Sequence, residues 1–182
     1  MTTFTTHTIE TAPLESKSLL EAANQAYGFI PNLLGTMAES PDLLNGYMTL
    51  AAIFDKTSLS ETERQIILIT NNSLNGCTYC MAAHTTISQM RGVDQTVIDS
   101  LRNGTPIADK KLEALRVFAR IINETRGWPD QSDIDALFAV GYTHQTVLEV
   151  ILGTSLKVMS NYTNHIAETD LDEAFSNNAW AA

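Results

Sequence analysis

Apolar residues recur along this chain at three- and four-residue spacing almost from end to end, the period of a helix with one buried face. Leu19, Leu20, Ala22 and Ala23 predict a helix ending near Gly28, and Pro31 opens a short helical turn through Asn32-Leu33-Leu34. Ser40 followed by Pro41 is an N-cap with proline at the first helical position. Leu43, Leu44, Tyr47, Leu50, Ala51 and Phe54 continue that pattern, so a helix is expected over 41–55. Ser60-Glu61-Thr62-Glu63 fits a capping box. The helix it opens carries Ile66-Ile67-Leu68-Ile69, apolar on every side and therefore expected to be deeply buried. Asn71-Asn72-Ser73 and then Asn75-Gly76 are expected to break the run.

The second half repeats the pattern. A helix is predicted over 77–90 with Gly92 just past its end, and another from its cap Asp94 to Leu101, before Gly104. Leu112, Leu115, Val117, Phe118, Ile121 and Ile122 form one face of a long helix over 109–125, stopped by Gly127-Trp128-Pro129. Residues 132–140 form another helix, and Thr143 caps a final long one carrying Val147, Val150, Ile151, Leu156 and Met159. No segment alternates with a period of two, so the fold class is all-α. A single domain over 1–182 is the simplest organisation. Residues 1–13 form an irregular arm, and 169–182 an acidic, then small and polar, tail expected to drape over a surface or fray.

Composition narrows the function classes. The formal net charge of −10, from 21 acidic and 11 basic residues, repels phosphate backbones and anionic lipid, so neither nucleic acid nor membrane is an expected partner. No run approaches the roughly 20 apolar residues of a spanning helix. Met1 to Ala12 lacks a basic stretch followed by an apolar one, so a cytoplasmic location is expected. There a closely spaced cysteine pair is catalytic or metal-binding more often than structural.

Chemistry is concentrated in Asn75-Gly76-Cys77-Thr78-Tyr79-Cys80-Met81-Ala82-Ala83-His84, which holds both cysteines. Three positions apart on a helix, two thiols face the same way and lie close enough to exchange a disulfide. The turn at Ser73 to Gly76 puts them at a helix N-terminus, where free N–H groups favour a thiolate. His84 follows Cys80 by one turn and can act as base or proton shuttle. Cys77 can then attack an oxidised Cys80 and close the disulfide. Three other readings remain. The cysteines can be small apolar fillers, and His84 can simply hydrogen-bond inside a packed helix. Zinc can be held by Cys77, Cys80 and His84 with a remote fourth ligand such as His144 or His165. A thioredoxin-like fold is disfavoured, because the segment before the motif reads as a helix rather than a strand. His7 lies in the polar arm without an evident role, and Trp128 and Trp180 read as packing and tail residues.

The run Leu59 to Leu68 followed by Asn75 to His84 resembles the AhpD-like branch of the carboxymuconolactone decarboxylase superfamily. The likeness extends to Phe29-Ile30-Pro31-Asn32, to Asn161-Tyr162-Thr163-Asn164-His165 and to Thr169-Asp170-Leu171-Asp172. It implies an AhpD-like all-helical fold, with the CxxC at the N-terminus of a buried helix, that assembles as a trimer, hexamer or dimer. It also implies alkylhydroperoxidase activity, with Cys80 peroxidatic, Cys77 resolving and His84 in a proton relay. The implied partners are a hydroperoxide and a dithiol or lipoyl-type reductant, with no metal or tightly bound cofactor. The family's relay glutamate stands twelve residues before the first cysteine, where this chain has Gln65. An amide orients by hydrogen bonding but cannot carry a proton as a carboxylate does. Glu63 is the nearest substitute acid in the sequence, although it also fits the third position of the capping box. Tyr79 lines the site or packs. Protein disulfide reduction, redox sensing and a non-catalytic helical oligomer are the alternatives. Decarboxylation is weaker, because that branch does not use the cysteine pair.

Overall fold

The computed structural model describes residues 4–181. Among them the elements are α1 (Leu14–Tyr27), α2 (Asn32–Met37), α3 (Pro41–Phe54), α4 (Glu61–Leu74), α5 (Thr78–Met90), α6 (Gln95–Asn103), α7 (Lys110–Thr125), α8 (Gln131–Ala139) and α9 (His144–Ala167). A short 3-10 helix, Glu173–Asn178, follows. No strand occurs among the described residues, and the fold is all-α. The starts lie where the caps put them. Ser40 Oγ accepts from the Leu43 N–H at 3.4 Å. Ser60 and Glu63 close a reciprocal capping box. Asp94 and Asp109 each accept from backbone N–H groups of the helix they open.

α4 is the central element and packs on α5, α6, α7 and α9. Ile66, Ile67, Leu68 and Ile69 are all buried, as an all-round apolar run requires. α9 crosses the molecule and touches α2, α3, α4, α5 and α7. Its close approach depends on Gly153, where a Cβ would lie 2.8 Å from Ile67 Cγ2 and Phe54 Cζ. Two clusters of buried side chains result. One is built on Phe54, the α4 isoleucines, Leu115, Phe118 and Val150. The other joins α1 to α3 with the first turn of α5 and contains both cysteines.

The structure corrects two local expectations and gives the two ends of the chain their contacts. α4 is not broken at Asn71-Asn72-Ser73: Asn71 and Asn72 are buried, Asn71 donating back to the Ile67 carbonyl at 2.8 Å and Asn72 across to the Cys80 carbonyl at 3.1 Å. The break falls at Gly76, whose φ of 65° only glycine adopts without strain. Ile151 on α9 is 44% exposed and belongs to the outer face. The chain after α9 drapes over the surface, the first of the two expected alternatives, and does not fray. Phe175 packs edge-on against Tyr79 and Phe29, and Trp180 Nε1 donates to the Arg102 carbonyl at 3.1 Å. The N-terminal arm is anchored too, through His7, which donates from its backbone to Gly35 and bonds Glu39 through its ring at 2.7 Å. No described helix is long and apolar enough to cross a membrane.

Candidate active site

α4 and α5 form a hairpin around the Gly76 turn, so the middle of one helix faces the middle of the other. Cys77 is the N-cap of α5, and Cys80 lies in its first turn. Both are free thiols, 1% and 2% exposed. α9 closes the site with Lys157, Ser160, Asn161 and Asn164, which share one face at the spacing of a buried stripe.

This stripe supplies the polar surroundings of the sulfurs. Asn164 Nδ2 donates to Cys80 Sγ at 3.2 Å and reaches Cys77 Sγ at 3.8 Å. Asn161 donates to Asn72 Oδ1 at 3.0 Å and accepts from Asn75 at 2.8 Å, and Asn72 donates to the Cys80 carbonyl at 3.1 Å. Burial opposes a thiolate at Cys80. It is outweighed by the hydrogen bond from the Cys77 thiol, the charge of Lys157 and bonds from Ser160 and Asn161, which bring Cys80 down to about 5. Cys77 moves the other way. Its hydrogen bond to Cys80, then burial, then the charge on Cys80 hold its proton far above the usual thiol range. The pair therefore divides into a buried thiolate and a thiol.

Gln65 and His84 come together as the family resemblance implied, with Nδ1 of His84 3.0 Å from Oε1 of Gln65. Gln65 Nε2 donates to Glu61 Oε1 at 2.8 Å, and Glu61 also receives Arg64 and Arg91. The far side of the ring, Nε2 of His84, meets Lys157 Nζ at 3.1 Å. Burial, with the charges of Lys157 and Arg91, pushes His84 well below its ordinary value and keeps the imidazole neutral. His84 makes no hydrogen bond to either sulfur.

Glu63 does not join this group. Its oxygens are held by the Ser60 cap and by Tyr142, which donates at 2.9 Å, so the capping box claims the residue that sequence spacing offered as a substitute acid. The zinc arrangement is not built either. Both nitrogens of His84 are engaged, and among the described residues no three His, Cys, Asp or Glu side chains converge on a metal-sized site. His144, at the start of α9, packs at a tilt against Phe138. His165 is exposed but lines a small polar cleft, about 250 Å³, that opens beside Cys77, Tyr79, Asn164 and Thr169. Tyr79 does line this cleft, and its hydroxyl donates to the Asp172 carboxylate while accepting from the Leu33 N–H. A further apolar groove, between α7 and α8, carries none of these groups.

Sequence reasoning missed Lys157, Asn164, Asn161, Asn72, Glu61 and Asp172. One signal was available: polar residues at 157, 160, 161 and 164 sit three and four apart, in phase with Val150 and Leu156 of the buried face. That register marks a polar stripe turned inward.

Over residues 40–120, which span α3 to α6, most of α7 and both cysteines, the chain matches the carboxymuconolactone decarboxylase family. No match was found among curated protein sequences. Three solved structures share the fold. The alkylhydroperoxidase AhpD core from Ralstonia eutropha JMP134, an uncharacterised peroxidase-related protein, is 20% identical with a TM-score of 0.84, covering 94% of this chain and 93% of that one. A peroxidase-related protein from Silicibacter sp. TM1040 is 19% identical with a TM-score of 0.78, covering 91% and 88%. A cysteine-to-alanine variant of the debrominase Bmp8, in complex with 2,3,4-tribromopyrrole, is 19% identical with a TM-score of 0.81, covering 98% and 96%. The family match over residues 40–120 and the fold shared with these structures agree with the resemblance drawn from the motifs.

Proposed function

We propose that this chain is a thiol-dependent hydroperoxide reductase. The observation that carries the reading is the pair of buried free thiols at Cys77 and Cys80, both reached by the Asn164 amide, in surroundings that favour the thiolate at Cys80. A thiolate is the nucleophile in this chemistry. Cys80 attacks the terminal peroxide oxygen, the O–O bond breaks, and the sulfur becomes a sulfenic acid while the alkoxide departs. The alkoxide takes up a proton and leaves as the alcohol, with His84 placed on the proton's route in this reading. The Cys77 thiol then attacks the sulfenic sulfur, and water leaves as the disulfide closes.

An external dithiol of the lipoyl type restores the pair. Cys77 lines the cleft, so attack falls on its sulfur and expels Cys80. A low-pKa thiol is the better leaving group, which fits the same division of roles. Neither metal nor tightly bound cofactor takes part, and the proposed working form is a homo-oligomer. The test is peroxide consumption with a dithiol by wild type, Cys80→Ser and Cys77→Ser. Loss of turnover in Cys80→Ser, and an unresolved sulfenic acid in Cys77→Ser, are expected. Full turnover by Cys80→Ser would sink the reading. The debrominase likeness supports a second reading, thiol-dependent loss of halide from a brominated pyrrole. Bromide release from such a compound, without peroxide consumption, would favour it.

A further inference from the structure

Lys157 is 1% exposed, on the inner face of α9, and none of the ion pairs among the described residues includes it. An ammonium taken out of water needs an anion or a full set of acceptors. The acceptor it has is the ring nitrogen Nε2 of His84.

The direction of that hydrogen bond is set from the surface inward. Arg64 and Arg91 hold Glu61 as a carboxylate, below the usual range. A carboxylate accepts only, so the Gln65 amide must turn its NH2 toward Glu61 and its oxygen toward His84. The oxygen in turn requires the proton of His84 on Nδ1. Nε2 is left as a lone pair, and only a donor can sit against it. Lys157 is therefore the donor in that bond, and the sulfur its charge acts on is that of Cys80, one turn from His84 on α5 and bonded by Asn164 from the same face of α9.

We propose that Lys157 is the buried counter-ion of the Cys80 thiolate, held in place by the Glu61–Gln65–His84 chain. Lys157 is a positioning residue: it fixes the charge of the reacting sulfur without taking its place. On this account the glutamine at 65 is what the arrangement requires. A glutamate there would face Glu61 as a like charge and draw a second proton onto His84, setting imidazolium against ammonium. Other titratable groups face Cys80 from the packed elements: Tyr47 from α3, and Cys77 and Tyr79 from α5. None of them is a cation, whereas Lys157 is. The proposal rests on Cys80 as the reacting thiol, but not on what that thiol attacks.

The test is the pH dependence of thiolate ultraviolet absorbance and of iodoacetamide alkylation in the reduced full chain, with the modified cysteine identified by peptide mass spectrometry. Wild type, Lys157→Met, Lys157→Gln and Lys157→Arg are compared. Methionine and glutamine are expected to raise the Cys80 midpoint by about one pH unit or more, tenfold less thiolate at a given pH, while arginine keeps it low. A midpoint within about 0.3 unit of wild type in folded Lys157→Met or Lys157→Gln would overturn the proposal. Should neither variant fold, nitrogen-15 NMR of wild-type His84 decides: a neutral ring with its proton on Nδ1 supports the proposal, and an imidazolium or an Nε2 proton overturns it. Peroxide turnover is not a readout. Its absence beside an intact midpoint shift would remove the hydroperoxide reading and leave the counter-ion in place.

Discussion

The two sides of α5 are equally buried and chemically opposite. Met81 points into the cluster of Phe54, the α4 isoleucines, Leu115 and Phe118, where aliphatic and aromatic atoms predominate. Cys77 and Cys80 point into the other cluster, whose walls include Asn72, Lys157, Ser160, Asn161 and Asn164. Burial alone would raise a thiol's pKa on either side. Only the second side offers donors and a lysine, and these favour the thiolate at Cys80 against its burial. A dry site stabilises a charge when its dipoles are fixed in advance, and the aliphatic cluster is the frame that fixes them.

If that division of labour is right, Phe118→Ala should cost most, about 3–5 kcal/mol in urea unfolding, because a fully buried ring leaves a cavity. Its remaining folded fraction should titrate at Cys80 as wild type does. A displaced Cys80 midpoint would show the two sides to be one unit.

Acid should separate them next. His84 sits well below its ordinary value of about 6.5, so the unfolded chain binds a proton that the folded chain refuses, and stability falls below that pH. Cys80 acts in the same direction. Its folded value is about 5, and an unfolded cysteine titrates at about 8.5, so its contribution is full above the unfolded value and lost as pH falls through the folded one. At about 1.4 kcal/mol per unit of pH and per proton, the reduced protein should lose about 2 kcal/mol or more between about pH 7.5 and 5.5. The disulfide form should keep only the His84 part, and equal losses in the two forms would contradict the thiolate.

Asn161→Ala should cost about 1–3 kcal/mol, since it orphans Asn72 and Asn75 inside the polar wall. Unlike Phe118→Ala, it should also raise the Cys80 midpoint. Smallest is Tyr79→Phe, at about 1 kcal/mol, seen as faster proteolysis within residues 169–181 once Asp172 loses the tyrosine hydroxyl. Unchanged proteolysis would mean that Phe175 alone secures that segment.

The aliphatic side was legible in the sequence because its signals are local. Ser60 and Glu63 are three apart, Pro41 follows Ser40, and the apolar run of α4 from Ile66 to Ile69 is unbroken. The thiol side was half legible. The spacing of Cys77, Cys80 and His84 is local, and so is Gln65 one hairpin away. The rest was hidden because its partners are far apart in the chain. Asn72 reads as a helix breaker until Asn161 is seen to satisfy it, and Lys157 reads as a solvent charge until His84 is found against it. Glu63 misled for the same reason. Proximity in sequence suggested a role that a cap and a distant tyrosine had already taken.

The stripe on α9 has a consequence in time. Synthesis delivers Cys77 and Cys80 some eighty residues before Lys157 and Asn164. Until α9 docks, Cys80 has neither its cation nor the amide of Asn164, and it remains an ordinary thiol in a growing chain. Contacts so distant in sequence form late, after the local hairpin of α4 and α5. The protein therefore arms itself last. On the proposed function, a nascent or partly unfolded chain carries two weakly reactive cysteines, and the reacting sulfur appears only in a molecule that has completed its fold.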